Sequence, residues 1–468
     1  MVTIMRPSLS LAAAALLWAG AASAAGAGPQ VLDLSSGESA AITLADGKSR
    51  TIKLIGLREF TEPYFESAEG KITQAVVRAT FEVEVDGVKA SLTGGPFRMP
   101  TAVNGLAVLL SCTRNWSGGI SPDPISKEVR LEVRDATLPW VTLAGYVFPI
   151  RGYRWRAMNY QHTYLGVVVN QARLYYHRGE DMGMIPDLEQ ALAITKAEIT
   201  KVPGPKGDGG SNSVVLEDGD GLRFRYAHMN TPNIRPALQP GSKLERGEAM
   251  GLTGNTWRGG PVNDPHLHVE ARDSKTDTFR NSFPLIVAAY RASFPGEVLP
   301  IAGGWRHVVA GGSVTLDGSL SLAGAGRKIT SFEWLLADGK TVRECSVTLR
   351  YDRPGTYSEQ LRVADDRGTR DSDFVEVFVL SPDQKTSPPY AWINYYPVRA
   401  IHVGSEVQFL TRFANMKNVT IEYGDGERTA WSEKTAHRYN KAGTYVVTVR
   451  GQDAGSGPGT FHVRVIVE

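Results

Sequence analysis

Four of the nine histidines in this 468-residue chain fall in three short pieces. They are Tyr176-His177-Arg178-Gly179-Glu180-Asp181, Tyr226-Ala227-His228-Met229 and Pro265-His266-Leu267-His268-Val269-Glu270. His266-Leu267-His268 alternates polar and apolar side chains, as a strand does, so His266 and His268 share one face and Leu267 turns to the core. Two imidazoles so close on one face are poor packing material and good ligand material. His177 and Asp181 stand four apart, but Gly179 and Gly183 disfavour a helix. A strand end followed by a glycine-containing turn brings the two side chains together instead. An imidazole nitrogen and a carboxylate oxygen suit zinc, and one histidine of the 266/268 pair makes three protein ligands. The fourth position is left for water, which marks a catalytic rather than a structural zinc site. Zinc lowers the pKa of its water to about 7. His228 and the remaining histidine of the pair are then available to take a proton from that water and to stabilise an oxyanion. No His-Glu-x-x-His helix is present to supply a glutamate for that work.

Together these pieces resemble the M23 (lysostaphin/LytM-like) family of zinc metallopeptidases. His177 and Asp181 match the family's His-x-x-x-Asp, Tyr226-Ala227-His228-Met229 its middle histidine motif, and His266-Leu267-His268 its His-x-His. The turns Gly241–Glu248 and Gly251–Thr256 also fit. The resemblance covers about a quarter of the chain. It implies one zinc per chain, bound by His177, Asp181 and His268, with His228 and His266 as the catalytic histidines. It also implies a compact antiparallel sheet with the metal in a groove, and endopeptidase cleavage of peptidoglycan stems or cross-links. Two features depart from the pattern. The loop from Trp257 to Pro265 is long, with Asp264 where glycine is common, and the stretch from Pro186 to Val202 lacks a glycine often seen there. Both bear on substrate choice more than on metal binding. A non-catalytic wall-binding or regulatory protein on the same fold is the alternative, although such relatives usually lack ligands that this chain keeps.

The elements that must hold these residues read as mostly β. At about 150 residues per domain the chain holds roughly three or four domains. Its 49 glycines and 26 prolines, with 42% hydrophobic and 21% charged residues, describe a turn-rich globular protein. Residues 25–150 form a β-rich accessory domain, in which Ala79, Phe81, Val83 and Val85 alternate with polar partners. The same alternation turns Arg130 and Glu132 outward. Residues 151–295 form the chemical core, with one helix expected over 281–294. Beyond it a pattern repeats. Gly312–Ser319, Asp338-Gly339 and Pro354-Gly355-Thr356-Tyr357 in 300–382 are echoed in 388–468 by Gly404–Val407, Asp425-Gly426 and Ala442-Gly443-Thr444-Tyr445. Both copies resemble the PKD domain, an immunoglobulin-like sandwich, and His437 belongs to that structural pattern. The expected architecture is a multidomain one. An antiparallel peptidase core is flanked by an N-terminal β domain and two sandwiches that act as spacers or surface-binding units. Removing residues 300–468 should then weaken binding to particulate substrate and spare a soluble peptide.

Residues 1–24 read as a signal peptide: Arg6, an apolar run from Leu9 to Trp18, and the small residues Ala22-Ser23-Ala24. The mature protein is thus expected to be periplasmic or extracellular, with no stable membrane insertion. A net charge of +2 without a long basic run excludes a nucleic-acid partner. The expected partner is peptidoglycan or another peptide substrate. Cys112 and Cys345 are too few for a disulfide scaffold and are expected to remain free thiols.

Overall fold

The computed structural model describes residues 28–116, 125–141, 145–160, 162–170, 173–258, 260–261 and 264–468, so the signal peptide lies outside the described residues. The protein is mostly β and multidomain. Among the described residues no helix is long and apolar enough to cross a membrane.

The N-terminal region packs two four-stranded antiparallel sheets around one core, and its longest hairpin pairs Ser49–Glu66 with Lys71–Val85. Ala79, Phe81, Val83 and Val85 are buried with more exposed residues between them, as period two requires. In the strand Val129–Asp135 the expectation fails. Arg130 and Glu132 are buried, because the polar face is covered too. Arg130 pairs with Asp33, and Glu132 is held by the region beyond it. Ser111 Oγ, the Asn281 backbone N–H and Arg280 Nε donate to the Glu132 carboxylate at 2.6, 2.7 and 3.2 Å.

The sheet that carries the histidine motifs, the catalytic sheet of the reading above, has seven strands. We label them β1 (Glu180–Gly183), β2 (Ala197–Lys201), β3 (Val214–Asp218), β4 (Leu222–Ala227), β5 (Lys243–Leu244), β6 (His266–Asp273) and β7 (Phe279–Arg280). The order is β1-β6-β4-β3-β2-β5, with β7 also paired to β6. Helix α1 (Phe283–Ser293) follows at once. Every residue from Phe283 to Tyr290 is buried, so this helix is a core element and not an amphipathic cover. Asn281 Oδ1 accepts the Phe283 N–H at 3.2 Å at its start.

The C-terminal half holds two sandwiches. Their tyrosine corners are alike: Tyr357 O–H donates to Arg353 O, and Tyr445 O–H to Lys441 O, each four residues upstream. His437 stacks on Tyr423 and pairs with Asp425 at 2.7 Å, as a structural residue. The sandwiches are not beads on a string. Gly355–Asp365 of the first pairs with Gly459–Val467 of the second at Thr356–Gly459, so one nine-stranded sheet runs through both. The strand β8 (Tyr390–Tyr396) places Ile393 and Tyr395 in one apolar core with Ala157, Met158 and Tyr160 from the approach to the catalytic sheet. Cutting the chain at residue 300 would uncover that shared core. Neither Cys112 nor Cys345 is in a disulfide.

Candidate metal centre and active site

β1 and β6 pair in a register that sets Asp181 opposite His268 and Gly183 opposite His266. Residues opposite one another in an antiparallel pair point to the same face, so Asp181, His266 and His268 form one cluster. His177 joins it from the end of the preceding strand, Arg173–Tyr176. Gly179 makes the approach possible: a Cβ there would stand 2.6 Å from the Val269 carbonyl and 2.8 Å from the His268 ring. The glycine in the turn is thus needed for close approach.

The donor atoms converge. His177 Nε2 lies 3.1 Å from Asp181 Oδ1 and 3.1 Å from His268 Nδ1, and His268 Nδ1 lies 2.8 Å from Asp181 Oδ1. These three residues, all buried, form a group able to hold a metal ion. Ligand distances of about 2.0 Å in a tetrahedron correspond to edges of about 3.3 Å, and the observed spacings fall just short of that. Two nitrogens and one carboxylate oxygen fit zinc. Of the His266/His268 pair, His268 is the member that stands with His177. His266 Nε2 is farther out, 3.4 Å from Asp181 Oδ1.

The other two histidines have matching tautomers. His266 Nδ1 faces the Asp264 carbonyl, and His228 Nδ1 lies 3.0 Å from the Thr256 carbonyl. A carbonyl only accepts, so each Nδ1 carries a proton, and in the neutral ring Nε2 is the atom with the lone pair. The two rings are 4.5 Å apart. His228 also sits at φ +67°, a left-handed conformation rare for histidine, at the point where β4 ends. Its N–H donates to Ser211 O and its own carbonyl accepts from Thr256, which hold it there.

The electrostatics are those of a dry, crowded site. Burial, with repulsion from His266 and His268, pushes His228 well below an ordinary imidazole. Burial pulls Asp181 upward, but His177 and His266 and the hydrogen bonds of His177 and His268 outweigh it and leave it well below the usual carboxylate range. On the opposite face, burial raises Glu180 to about 8 even though Thr163, Tyr164 and Ser282 all donate to it.

Sequence reasoning quoted Glu270 without giving it a role. It continues the period-two row of His266 and His268, and its Oε2 lies 3.1 Å from His268 Nε2. Arg225, its cross-strand partner, and Arg272 hold that carboxylate at 3.3 and 3.2 Å. Burial would raise Glu270, but His268, Arg225 and Arg272 bring it down to about 2. Sequence reasoning also passed over Tyr160 and His162. The Tyr160 ring is 4.9 Å from His266, and the His162 ring is 5.9 Å from His177.

Residues 175–279 match the family model for peptidase family M23, and residues 297–379 and 392–465 match models of the PKD domain. The chain carries an M23 peptidase domain and two PKD domains. Among solved structures it is similar to a putative glycyl-glycine endopeptidase, lytM, from Ruminococcus gnavus, at 17% identity and a TM-score of 0.22. That match covers 28% of this chain and 62% of the other, so this chain spans about three-fifths of that neighbour's length. It is also similar to cbpa of L. salivarius REN, at 18% identity over 31% of this chain and 96% of that one, with a TM-score of 0.23.

Proposed function

We propose that this M23 peptidase domain is a zinc metalloendopeptidase, exported by its N-terminal signal peptide, that hydrolyses peptide bonds in peptidoglycan stems or cross-links. The observation that carries the reading is the convergence of His177, Asp181 and His268 within hydrogen-bond distance of one another, flanked by two histidines whose Nδ1 atoms face the Thr256 and Asp264 carbonyls. A zinc ion held by those three residues would supply Lewis acidity to a carbonyl and an acidified water.

The chain's own residues do the rest. His266 and His228 offer their Nε2 atoms to the reacting groups, one as proton acceptor and the other as partner to a developing oxyanion. The Asp264 and Thr256 carbonyls keep the proton of each ring on Nδ1. Glu270 accepts from His268 Nε2, which would leave the Nδ1 lone pair of that ring for the metal, beside Asp181. Burial keeps bulk water out, so each of these interactions is stronger than it would be in solvent.

The test is hydrolysis of purified peptidoglycan by the chain from Ala25 onward, read as new amino termini. The reading predicts release that a chelator abolishes and added zinc restores. Release indifferent to the chelator would contradict it. A non-catalytic wall-binding protein would show retention on peptidoglycan without release, but nothing at the site favours that reading, since all five side chains are present.

A further inference from the structure

β6 flanks β1 on one side. On the other, the Asp181 N–H donates to His162 O at 2.8 Å and the Gly183 N–H to Tyr160 O at 3.2 Å. Tyr160 therefore lies beside Gly183, and His162 beside Asp181, on the face that carries His266 and His268. The second PKD domain holds this stretch from outside. Asn159 Nδ2 donates to Ala391 O at 2.6 Å, the Ile393 N–H donates to Asn159 Oδ1 at 2.8 Å, and the Tyr395 N–H lies 3.3 Å from Met158 Sδ. From the first PKD domain, Trp305 packs on His162 and Tyr390 with rings 4.3 and 4.9 Å apart. Asn394 stands over β1, where a Cβ on Gly183 would come within 2.9 Å of its Oδ1. His266, which must meet a substrate, is 4% exposed.

This cover is apolar where Met158 and Tyr160 meet β8, and incompletely paired around that contact. His162 Nε2, the Tyr390 hydroxyl, Glu376 Oε1 and both amide atoms of Asn394 are buried without a hydrogen-bond partner. Buried polar groups are nearly always paired, because their dehydration otherwise goes unreturned. Five such atoms in one seam make its closed form costly, and opening would return them all to water.

Resting on the peptidase reading, we propose that residues Met158–Tyr160 and His162 form a lid over the catalytic histidines, with β8 as the latch that holds it down. It is closed here and poised to lift off β1 and admit a peptide strand. The second PKD domain is then a gate to the site as well as a support.

Two full-length variants push the lid in opposite directions. Asn159→Ala removes both bonds to β8. Amide hydrogen exchange at Asp181 and Gly183, whose N–H groups the closed lid occupies, should speed up about tenfold, and release from peptidoglycan should rise. Asn394→Leu replaces two unpaired polar atoms with apolar ones. It should slow the same amides, lower release and melt no lower than wild type. Should Asn159→Ala fail to fold, Trp305→Phe takes its place. Unchanged exchange at both amides in both variants would overturn the lid. Exchange that shifts as expected while release stays constant would show that the seam opens without gating the site, and would equally overturn it. No release from wild type or any variant, with zinc bound, would sink the peptidase reading instead, and exchange alone would still decide whether the seam opens.

Discussion

Two parts of one joint, both formed between the PKD domains and the approach to the catalytic sheet, are built on opposite principles. At the first, Arg464 of the second PKD domain is fully buried and uses nearly all of its guanidinium. It pairs with Asp371 of the first PKD domain through Nε and Nη2, and it donates to Trp155 O at 2.6 Å and Arg156 O at 2.8 Å. Arg156 in turn donates to Asp373 at 2.7 Å. At the second, Asn394, Tyr390, Glu376 and His162 bury polar atoms that nothing satisfies. A charge buried with all its partners is hard to part from them, whereas an unpaired group costs about 1–3 kcal/mol for as long as it stays dry. The first reads as a pivot and the second as the edge that opens. The site shows the same contrast: His268 is braced by Glu270 and its two arginines, while His266 faces the unsatisfied seam.

The comparison can be broken at its strong end first. Arg464→Ala strands Asp371 and two carbonyls, and should cost about 3–5 kcal/mol in equilibrium unfolding. A loss below about 1 kcal/mol would mean the pivot is not one. On the braced side of the site, Glu270→Gln should weaken zinc binding by about 10- to 100-fold in a chelator competition. Unchanged affinity would show that His268 needs no brace.

Glu376 sharpens the weak end. Burial pushes it up to about 8, against the pull of Arg156 and with a smaller push from Asp373, and it lies beside Tyr390. A raised carboxyl pKa contributes stability that is fully present below the ordinary value near 4.5 and is lost as pH rises through about 8. Glu376 should supply at most about 1.4 kcal/mol per pH unit of the slope across that window, Glu180 adding a like share, and Glu376→Gln should remove its part. The smallest effect is the gain from Asn394→Leu. With two orphaned atoms removed, the chain should be about 1 kcal/mol more stable by urea unfolding, and a loss of that size would mean that the amide finds partners after all.

How much of this could be read from residues alone depended on the reach of each interaction. The alternation in 79–85, the Gly-Thr-Tyr corners and the His-Leu-His strand are local, and the structure has them where their periods put them. The His177–Asp181 pair was legible because its donor chemistry and short spacing leave few other uses. The misreadings lie where a distant segment covers a surface. Arg130 and Glu132 alternate as solvent-facing residues should, and Arg280 and Asn281, some 150 residues on, change the sense of that pattern. The contact between Asn159 and Ala391 spans 232 positions and leaves no local trace. Tyr160 and His162 lie in a stretch without a motif, so only their placement beside β1 gives them a meaning.

The most direct measurement pairs zinc content with hydrolysis in wild type, His177→Ala and His266→Ala. Wild type should carry one zinc per chain and release peptide termini from peptidoglycan. His177→Ala should lose the metal. His266→Ala should keep it while release falls by on the order of 10²- to 10⁴-fold. Release undiminished in His266→Ala, or a wild type that binds no zinc and cuts nothing, would contradict the account.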